Sequence, residues 1–255
     1  MGLQQRASKF QKISRPRPSR PGGGGAVLMQ HTELLEGLQS YYKFDELGSV
    51  QRLDSISNKH FSVVGSVGSS DDGKISRGAL FLGGDTGPDL ANSLSAGNVH
   101  GYAAYTIGFW HYAVDIHNDI YIVHKYSGSD GYLVYFVDDA PVNHRLRHFN
   151  VFNEGGNGLQ QTDFELAIGQ WYFIVIQWDD ADSSMNLWVN NVLEAEDTFP
   201  GKTLKQGTTP FKIAGASGVQ LEGVMDEMFV YDQKISASRL TTWYNAGAAQ
   251  RPPIG

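Results

Sequence analysis

From residue 38 onward, hydrophobic and polar positions alternate over short stretches that are rich in β-branched and aromatic residues. This alternation is typical of β-strands with one buried face. It predicts strands at 38–44, 103–114, 119–126, 131–137, 170–178 and 185–190. Within them Tyr42, Phe44, Trp171, Phe173, Val175, Leu187 and Val189 are predicted to point inward. Clusters of Gly, Asn, Asp and Ser separate the strands, and Asn190–Asn191 predicts a tight hairpin.

The last part of the chain has helical spacing instead. Ser236 is a suitable N-cap, Leu240, Trp243 and Tyr244 follow on one face, and Gly247 is predicted to end the helix. Many strands, a single late helix and no alternation of strands with helices predict an all-β protein. The expected architecture is a two-sheet antiparallel β-sandwich, or jelly roll, with one short C-terminal helix.

The first 25 residues differ from the rest. Residues 15–25 read RPRPSRPGGGG, which is the composition of a linker, so we predict an extended, flexible arm at 1–25 and a domain at 26–255. The arm contains six basic residues and no acid: Arg6, Lys9, Lys12, Arg15, Arg17 and Arg20. Its formal charge is therefore +6, and since the whole chain carries −7, the remaining residues carry −13.

A basic arm on an acidic body predicts an interaction segment. Its target could be nucleic acid, an acidic lipid or the acidic face of a sister subunit, and a merely solvated tail is the alternative. The sequence contains no cysteine, so a disulfide framework and thiolate metal sites are excluded. No apolar run approaches the roughly 20 residues of a membrane-spanning helix, and no apolar segment follows the leading basic residues, so no signal peptide is expected.

Four stretches of the chain carry recognisable motifs: GLQSYYKFDELGSVQRLDS (37–55), GALFLGG (78–84), GQWYFIVIQWDDADSSMNLWVNNV (169–192) and VMDEMFVYDQKISASRLTTWYNAG (224–247). In this order they resemble the laminin-G-like family of concanavalin A-type jelly rolls. The resemblance implies the same two-sheet sandwich. Arg239 stands where the family commonly has Glu, and Leu82 where it often has Asp or Asn, which removes one polar ligand.

The superfamily includes glycoside hydrolases, whose carboxylates cluster on one strand. The nearest candidates are Asp163 and Glu165, which could share a strand face, but a third acid at the family's spacing is missing. Motifs for a serine nucleophile, a phosphate-binding loop or a zinc protease are absent, and His144 and His148 do not have a ligand spacing for a strand or loop. We therefore predict that the protein is not an enzyme.

Two ligand types fit the resemblance better. Jelly rolls of this superfamily often bind one structural Ca²⁺, and the matching positions are Asp45, Asp226 and the backbone around 83–84. The alternative is that both acids accept hydrogen bonds in turns. Lectin-like sandwiches also bind glycans through exposed aromatic rings, although in a sandwich most aromatics are core. The candidates near predicted strand ends are Tyr102, Tyr105, Tyr126 and Tyr132.

The stretch 37–55 also resembles laminin-G-like proteins encoded by tailed bacteriophages. This implies a virion structural protein (capsid decoration, fibre or tail component) that displays its sandwich for adhesion. The arm would anchor it to other virion subunits, which implies an oligomeric assembly, whereas nucleic acid is the less favoured target. The alternatives are a soluble extracellular carbohydrate-binding module and a glycoside hydrolase.

Overall fold

The computed structural model describes residues 32–48, 50–65, 67–82, 93–116, 120–138, 144–163, 165–214 and 221–249. The predicted arm at 1–25, with its six basic residues, lies outside the described residues, and so do Gly83 and Gly84.

Within the described part, fifteen strands alternate with turns. They are β1 (Leu38–Tyr42), β2 (Ser62–Val64), β3 (Gly68–Ser70), β4 (Gly78–Leu82), β5 (Ser93–Ser95), β6 (Ala104–Asp115), β7 (Ile120–Tyr126), β8 (Gly131–Asp138), β9 (His144–Val151), β10 (Asn157–Gln161), β11 (Trp171–Asp179), β12 (Ser184–Val189), β13 (Val192–Thr198), β14 (Lys212–Ile213) and β15 (Glu222–Tyr231). A 3₁₀ helix at Thr32–Leu34 precedes them, and helix α1 (Ala237–Ala249) follows them.

The strands form two antiparallel sheets. The eight-stranded sheet has the order β13-β12-β11-β6-β15-β4-β3, with β1 added beside β15. The seven-stranded sheet has the order β10-β9-β8-β7-β14-β5-β2. Since sequence-distant strands pair in both, the chain crosses repeatedly between sheets, as in a jelly roll. The predicted two-sheet antiparallel sandwich with one short C-terminal helix is confirmed.

Strand β15 lies in the middle of the eight-stranded sheet and carries a bulge. It pairs with β6 along one side, and with β4 and then β1 along the other. The register with β6 shifts between Asp226 and Phe229, and Glu227 at the bulge has a φ of 52°. Glu227 is buried and accepts a hydrogen bond from the Tyr41 hydroxyl. At this bulge the side chains of two adjacent acids, Asp226 and Glu227, are therefore both buried.

Buried side chains fill two layers. One lies between the sheets and includes Tyr42, Phe44, Leu187 and Val189, as predicted. The other lies on the outer face of the eight-stranded sheet. Trp171, Phe173 and Val175 belong to this outer layer, so the prediction that they face the same core was wrong. Strand β11 is buried on both faces, and alternation alone cannot tell which face meets the second sheet.

Helix α1 covers the outer layer. The Ser236 Oγ accepts a hydrogen bond from the Arg239 amide at 3.4 Å, in agreement with the predicted cap, and Leu240 and Trp243 are buried. The helix continues past Gly247 to Ala249, because glycine also adopts right-handed helical geometry and the following alanines favour helix. No helix in the described ranges is long and apolar enough to cross a membrane.

Candidate functional site

The two acids predicted to bind calcium meet the same loop. Asp226 is buried, and its Oδ2 accepts a hydrogen bond from the Ile75 amide at 3.0 Å. Asp45 Oδ1 accepts one from the Arg77 amide at 3.1 Å. Among the described residues no three His, Cys, Asp or Glu side chains form a group that could hold a metal ion, whereas Ca²⁺ takes six to eight oxygen ligands. The contacts fit the alternative of acids that hold a turn, and calcium stays a prediction.

The predicted carboxylate pair does not lie on a strand. Asp163 and Glu165 are both exposed and follow β10 in the connection to β11. Their alternation on a shared strand face, the basis of the hydrolase interpretation, is therefore absent. Burial raises the pKa of Glu194 on β13, and the charge of Asp163 raises it further. Asp163 therefore lies close to the edge strand β13 of the other sheet, and neither Asp163 nor Glu165 lines either of the two cavities described below.

Two of the four predicted sugar-binding tyrosines are core residues. Tyr105 and Tyr132 are 0% and 1% exposed, and their rings pack at 4.5 Å between centroids. Tyr105 donates a hydrogen bond to Asn150 Oδ1 at 2.7 Å, and its hydroxyl lies 2.9 Å from His148 Nε2. Neither ring can therefore serve as a surface platform, since both strands turn these positions towards the opposite sheet.

The other two tyrosines are half-buried and lie apart. Tyr126 at the end of β7 packs edge-on against Phe149, 5.7 Å between centroids, on the outer face of the seven-stranded sheet. Tyr102 lies in the link between β5 and β6, where its hydroxyl accepts a hydrogen bond from Lys59 Nζ at 3.0 Å. The sequence placed both near strand ends, as observed, but did not indicate that they belong to different surfaces.

A row of polar side chains crosses the outer face of the eight-stranded sheet. Cross-strand pairing places Thr106, Gln177, Asn186 and Glu196 side by side on β6, β11, β12 and β13. Gln177 is buried and donates through Nε2 to Thr106 Oγ1 at 3.1 Å and to the Ile235 carbonyl at 2.8 Å. The Thr106 hydroxyl and the Gln177 amide are thus held by each other and by the segment that leads into helix α1, which fixes their orientation. The buried Asn186 Oδ1 has no hydrogen-bond partner among the described residues.

Trp188 forms a wall beside this row. Its Nε1 donates to Gln177 Oε1 at 2.8 Å, and it remains half-buried. Together with the start of helix α1, these residues enclose an open groove of about 550 Å³, here called the Trp188 groove. Its lining comprises Gln177, Asp179, Asp182, Asn186, Trp188, Leu193, Glu196 and residues 234–237.

The groove is predominantly acidic. Asp179, Asp182 and Glu196 face a single cation, Lys234. The Lys234 Nζ lies 3.7 Å from Asp182 Oδ2 and donates to Ser184 Oγ at 2.5 Å. Burial raises the pKa of Asp182, but hydrogen bonds from Ser184 and the charge of Lys234 outweigh this and leave that pKa below its usual range. Carboxylates and amides beside an indole offer hydrogen-bond partners and an apolar surface to a polyhydroxylated ligand.

The sequence contained a signal for this groove. If Leu187 and Val189 point inward on the predicted strand 185–190, then Asn186 and Trp188 occupy its other face. The contribution of Gln177 and Lys234 could not be read from the sequence, because it depends on strand pairing and on where the helix packs.

A family model described as the concanavalin A-like lectin/glucanases superfamily, of the laminin G type, matches residues 82–241. The chain belongs to this superfamily. The matched range contains the whole Trp188 groove, including β11 to β13 and the beginning of helix α1. The match does not cover the stretch 37–55, whose strand β1 pairs with β15 in the eight-stranded sheet.

Solved structures share the lectin-like fold at low sequence identity. Domain 4 of AbnA, a GH43 extracellular arabinanase from Geobacillus stearothermophilus solved with arabinotriose, has a TM-score of 0.62 and 17% identity, over 81% of this chain and 98% of that one. The binding domain of Paraclostridial Mosquitocidal Protein 1 has a TM-score of 0.66 and 14% identity, over 84% and 53%. The botulinum neurotoxin DC binding domain solved with SialylT has a TM-score of 0.62 and 12% identity, over 84% and 52%.

These likenesses concern the fold alone. The lectin-like domain spans about half of the two toxin binding domains, whereas it matches nearly all of the arabinanase domain. No curated protein sequence matches the chain.

Proposed function

We propose that this lectin-like sandwich is a non-catalytic carbohydrate-binding domain and that it binds its ligand in the Trp188 groove. The observation that carries the proposal is a half-buried indole, held by the fixed amide of Gln177, beside further amide and carboxylate side chains on one sheet face. Sugars present apolar ring faces and polar hydroxyls, so an aromatic wall and convergent hydrogen-bonding groups complement them. Two of the similar structures were solved with carbohydrate ligands named in their descriptions, which supports the proposal.

The test begins with a glycan array on the full chain, followed by calorimetry with the strongest ligand. Trp188→Ala should weaken binding by about tenfold or more, because it removes the groove wall. The matched control is Trp171→Ala, which removes another half-buried tryptophan on the same sheet face but outside the groove. Equal losses in both variants, or unchanged affinity in Trp188→Ala with its fold intact, would contradict the proposal.

The finer proposal assigns this domain to a bacteriophage virion, as a capsid decoration, fibre or tail component that adheres through the sandwich. Its support is the charge division between the +6 arm and the −13 remainder, together with the phage-like stretch 37–55. The arm would bind acidic neighbouring subunits and leave the Trp188 groove to the host surface. An extracellular carbohydrate-binding module without an anchoring role is the alternative.

A further inference from the structure

A second cavity, about 480 Å³ in volume, lies where the chain passes from the seven-stranded to the eight-stranded sheet. It shares no lining residue with the Trp188 groove. We call it the lysine pocket and define it by the side chains that carry its chemistry, which are Lys59, Asn98, His100, Tyr102, Lys125 and Gln206.

Lys125 brings a buried ammonium to this pocket. It is 2% exposed, and its Nζ donates to Asn98 Oδ1 at 2.5 Å and to the Thr209 carbonyl at 2.7 Å. An ammonium has three donor hydrogens, so one remains for a ligand. Burial lowers the pKa of Lys125, and the charge of Asp130 partly offsets this. Burying a cation with only neutral acceptors is unfavourable unless an anion completes its shell.

Lys59 supplies a second ammonium from the segment before β2. Its Nζ donates to Tyr102 Oη at 3.0 Å and lies 3.5 Å from Gln39 Oε1. In the part of the chain that the structure describes, neither Lys59 nor Lys125 has a carboxylate within salt-bridge distance. The pocket therefore contains two cations whose direct partners are neutral oxygens, with Asp130 as the acid that acts on one of them.

The pocket floor is held in an unusual backbone conformation. His100 has a φ of 58°, its carbonyl accepts a hydrogen bond from Tyr132 Oη at 2.9 Å, and its ring lies between the hydroxyls of Tyr42 and Tyr102, at 3.3 and 3.4 Å. Burial and, to a smaller extent, the charges of Lys59 and Lys125 lower the pKa of His100 to about 3, so the ring is neutral at pH 7. Backbone strain of this kind in a non-glycine residue concentrates at binding sites.

Gly101 keeps the pocket open. A Cβ atom at this position would lie 2.6 Å from Gln206 Oε1 and 3.1 Å from Lys125 Cε. Any side chain would therefore displace the groups that line the cavity. The tight contact makes Gly101→Ala a variant that fills the pocket while retaining both lysines.

We propose that the lysine pocket binds the carboxylate group of an acidic sugar. Two ammonium groups that converge on one polar cavity would each form a charge-assisted hydrogen bond with such a group, and Tyr102 and Gln206 would bind adjacent hydroxyls. The sugar part of this inference rests on the proposed carbohydrate-binding function, whereas the anion part rests on the lysines alone.

The experiment is an NMR titration of the full chain with glucuronic acid, glucose and inorganic sulfate as separate probes. Glucuronic acid should shift the amide signals of His100 and Gly101, glucose should not, and the affinity should fall as salt is raised. Sulfate binding without glucuronic acid binding would overturn the acidic sugar as the ligand. The absence of shifts with both anions would overturn the site.

Variants separate the pocket from the rest of the molecule. Lys59→Met and Lys125→Met should each weaken glucuronic acid binding by about tenfold. Lys202→Met is the control, since its Nζ binds the Glu154 and Gly155 carbonyls outside the pocket, and it should bind as the parent does. Unchanged binding in both pocket variants would overturn the proposal, and Lys59→Met keeps the test open if Lys125→Met does not fold.

Failure of this site and failure of the proposed function give different results. Trp188→Ala should retain glucuronic acid binding, and Lys125→Met should retain the affinity of the Trp188 groove for its glycan. If Trp188→Ala abolishes glucuronic acid binding, the anion lies in the groove and the lysine pocket is the wrong site.

Discussion

At the scale of single residues, the core of this sandwich contains buried polar side chains that the alternation of hydrophobic and polar positions does not predict. His148, on the inner side of β9, is fully buried and contacts the Tyr105 hydroxyl. Burial lowers the pKa of His148 to about 3, despite hydrogen bonds with Gln160 and Asn186 that raise it. The imidazole is therefore neutral in the folded state at pH 7, and it acts as a hydrogen-bonding core residue.

This gives a prediction about acid stability. In the unfolded chain His148 has the ordinary histidine pKa near 6.5. Between pH 6.5 and 3 its imidazole is therefore protonated in the unfolded state and neutral in the folded state. The contribution of His148 to the free energy of unfolding is complete above about pH 6.5 and falls as the pH is lowered, by about 2 kcal/mol between pH 7 and pH 5. Denaturant unfolding at pH 7 and pH 5 measures the free energy of unfolding at each pH. Its decrease between them should be smaller in His148→Gln than in the parent protein by this amount.

His144→Gln, at a half-buried position on the same strand, provides the control for replacing a histidine in β9. An equal pH dependence in His148→Gln and the parent would mean that the imidazole becomes protonated without unfolding.

At the scale of elements, the sequence predicted strands well where alternation was strong, and poorly where it was short or mixed. Both Asn190 and Asn191 have positive φ, 50° and 67°, which is the geometry that the predicted hairpin requires. Strand β9 was not predicted, because histidines and arginines interrupt its apolar positions. Local pattern could indicate the Asn186 and Trp188 face of the Trp188 groove, but not the packing of residues 234–237 against the consecutive strands β11 to β13. The lysine pocket is formed by loops that meet only in three dimensions, so local pattern could not locate it.

The turn between β7 and β8 allows a prediction about element geometry. Gly131 has a φ of 89°, and a Cβ there would lie 1.6 Å from the Lys125 carbonyl oxygen. Gly131→Ala should therefore destabilise the protein by about 2 kcal/mol or more, as thermal and denaturant unfolding would show. Gly128 in the same turn has a φ of 93° and no atom within 4 Å of such a Cβ. Gly128→Ala should cost only about 1 kcal/mol, from backbone strain alone; equal losses would show that contact with Lys125 is unimportant.

At the scale of the whole molecule, the two cavities and the basic arm point to separate roles for the sandwich and the arm. The Trp188 groove lies beside the start of helix α1 and the lysine pocket beside the connection from β5 to β6, and they share no lining residue. Two parts of one ligand, or two ligands, could therefore be held at the same time. The basic arm, with a charge of +6, is separate in sequence from both. Recognition by the sandwich and attachment by the arm can therefore be tested independently.

The arm leads to the last prediction, which concerns association. Because the remainder of the chain carries −13, the arm of one copy should be attracted to the body of another, and this attraction is screened over about 10 Å at 0.1 M salt. Sedimentation velocity should show the full chain associating at low salt and dissociating at high salt, whereas a variant lacking residues 1–25 should be monomeric in both. A chain of unchanged length with the six basic residues replaced by Gln should behave like the deletion, since the charges and not the length of the arm carry the attraction.

Both variants should keep the circular dichroism of the parent and the glycan affinity of the Trp188 groove. Salt-sensitive association that survives the loss of the six charges would locate the contact on the sandwich and remove the main support for a virion anchor.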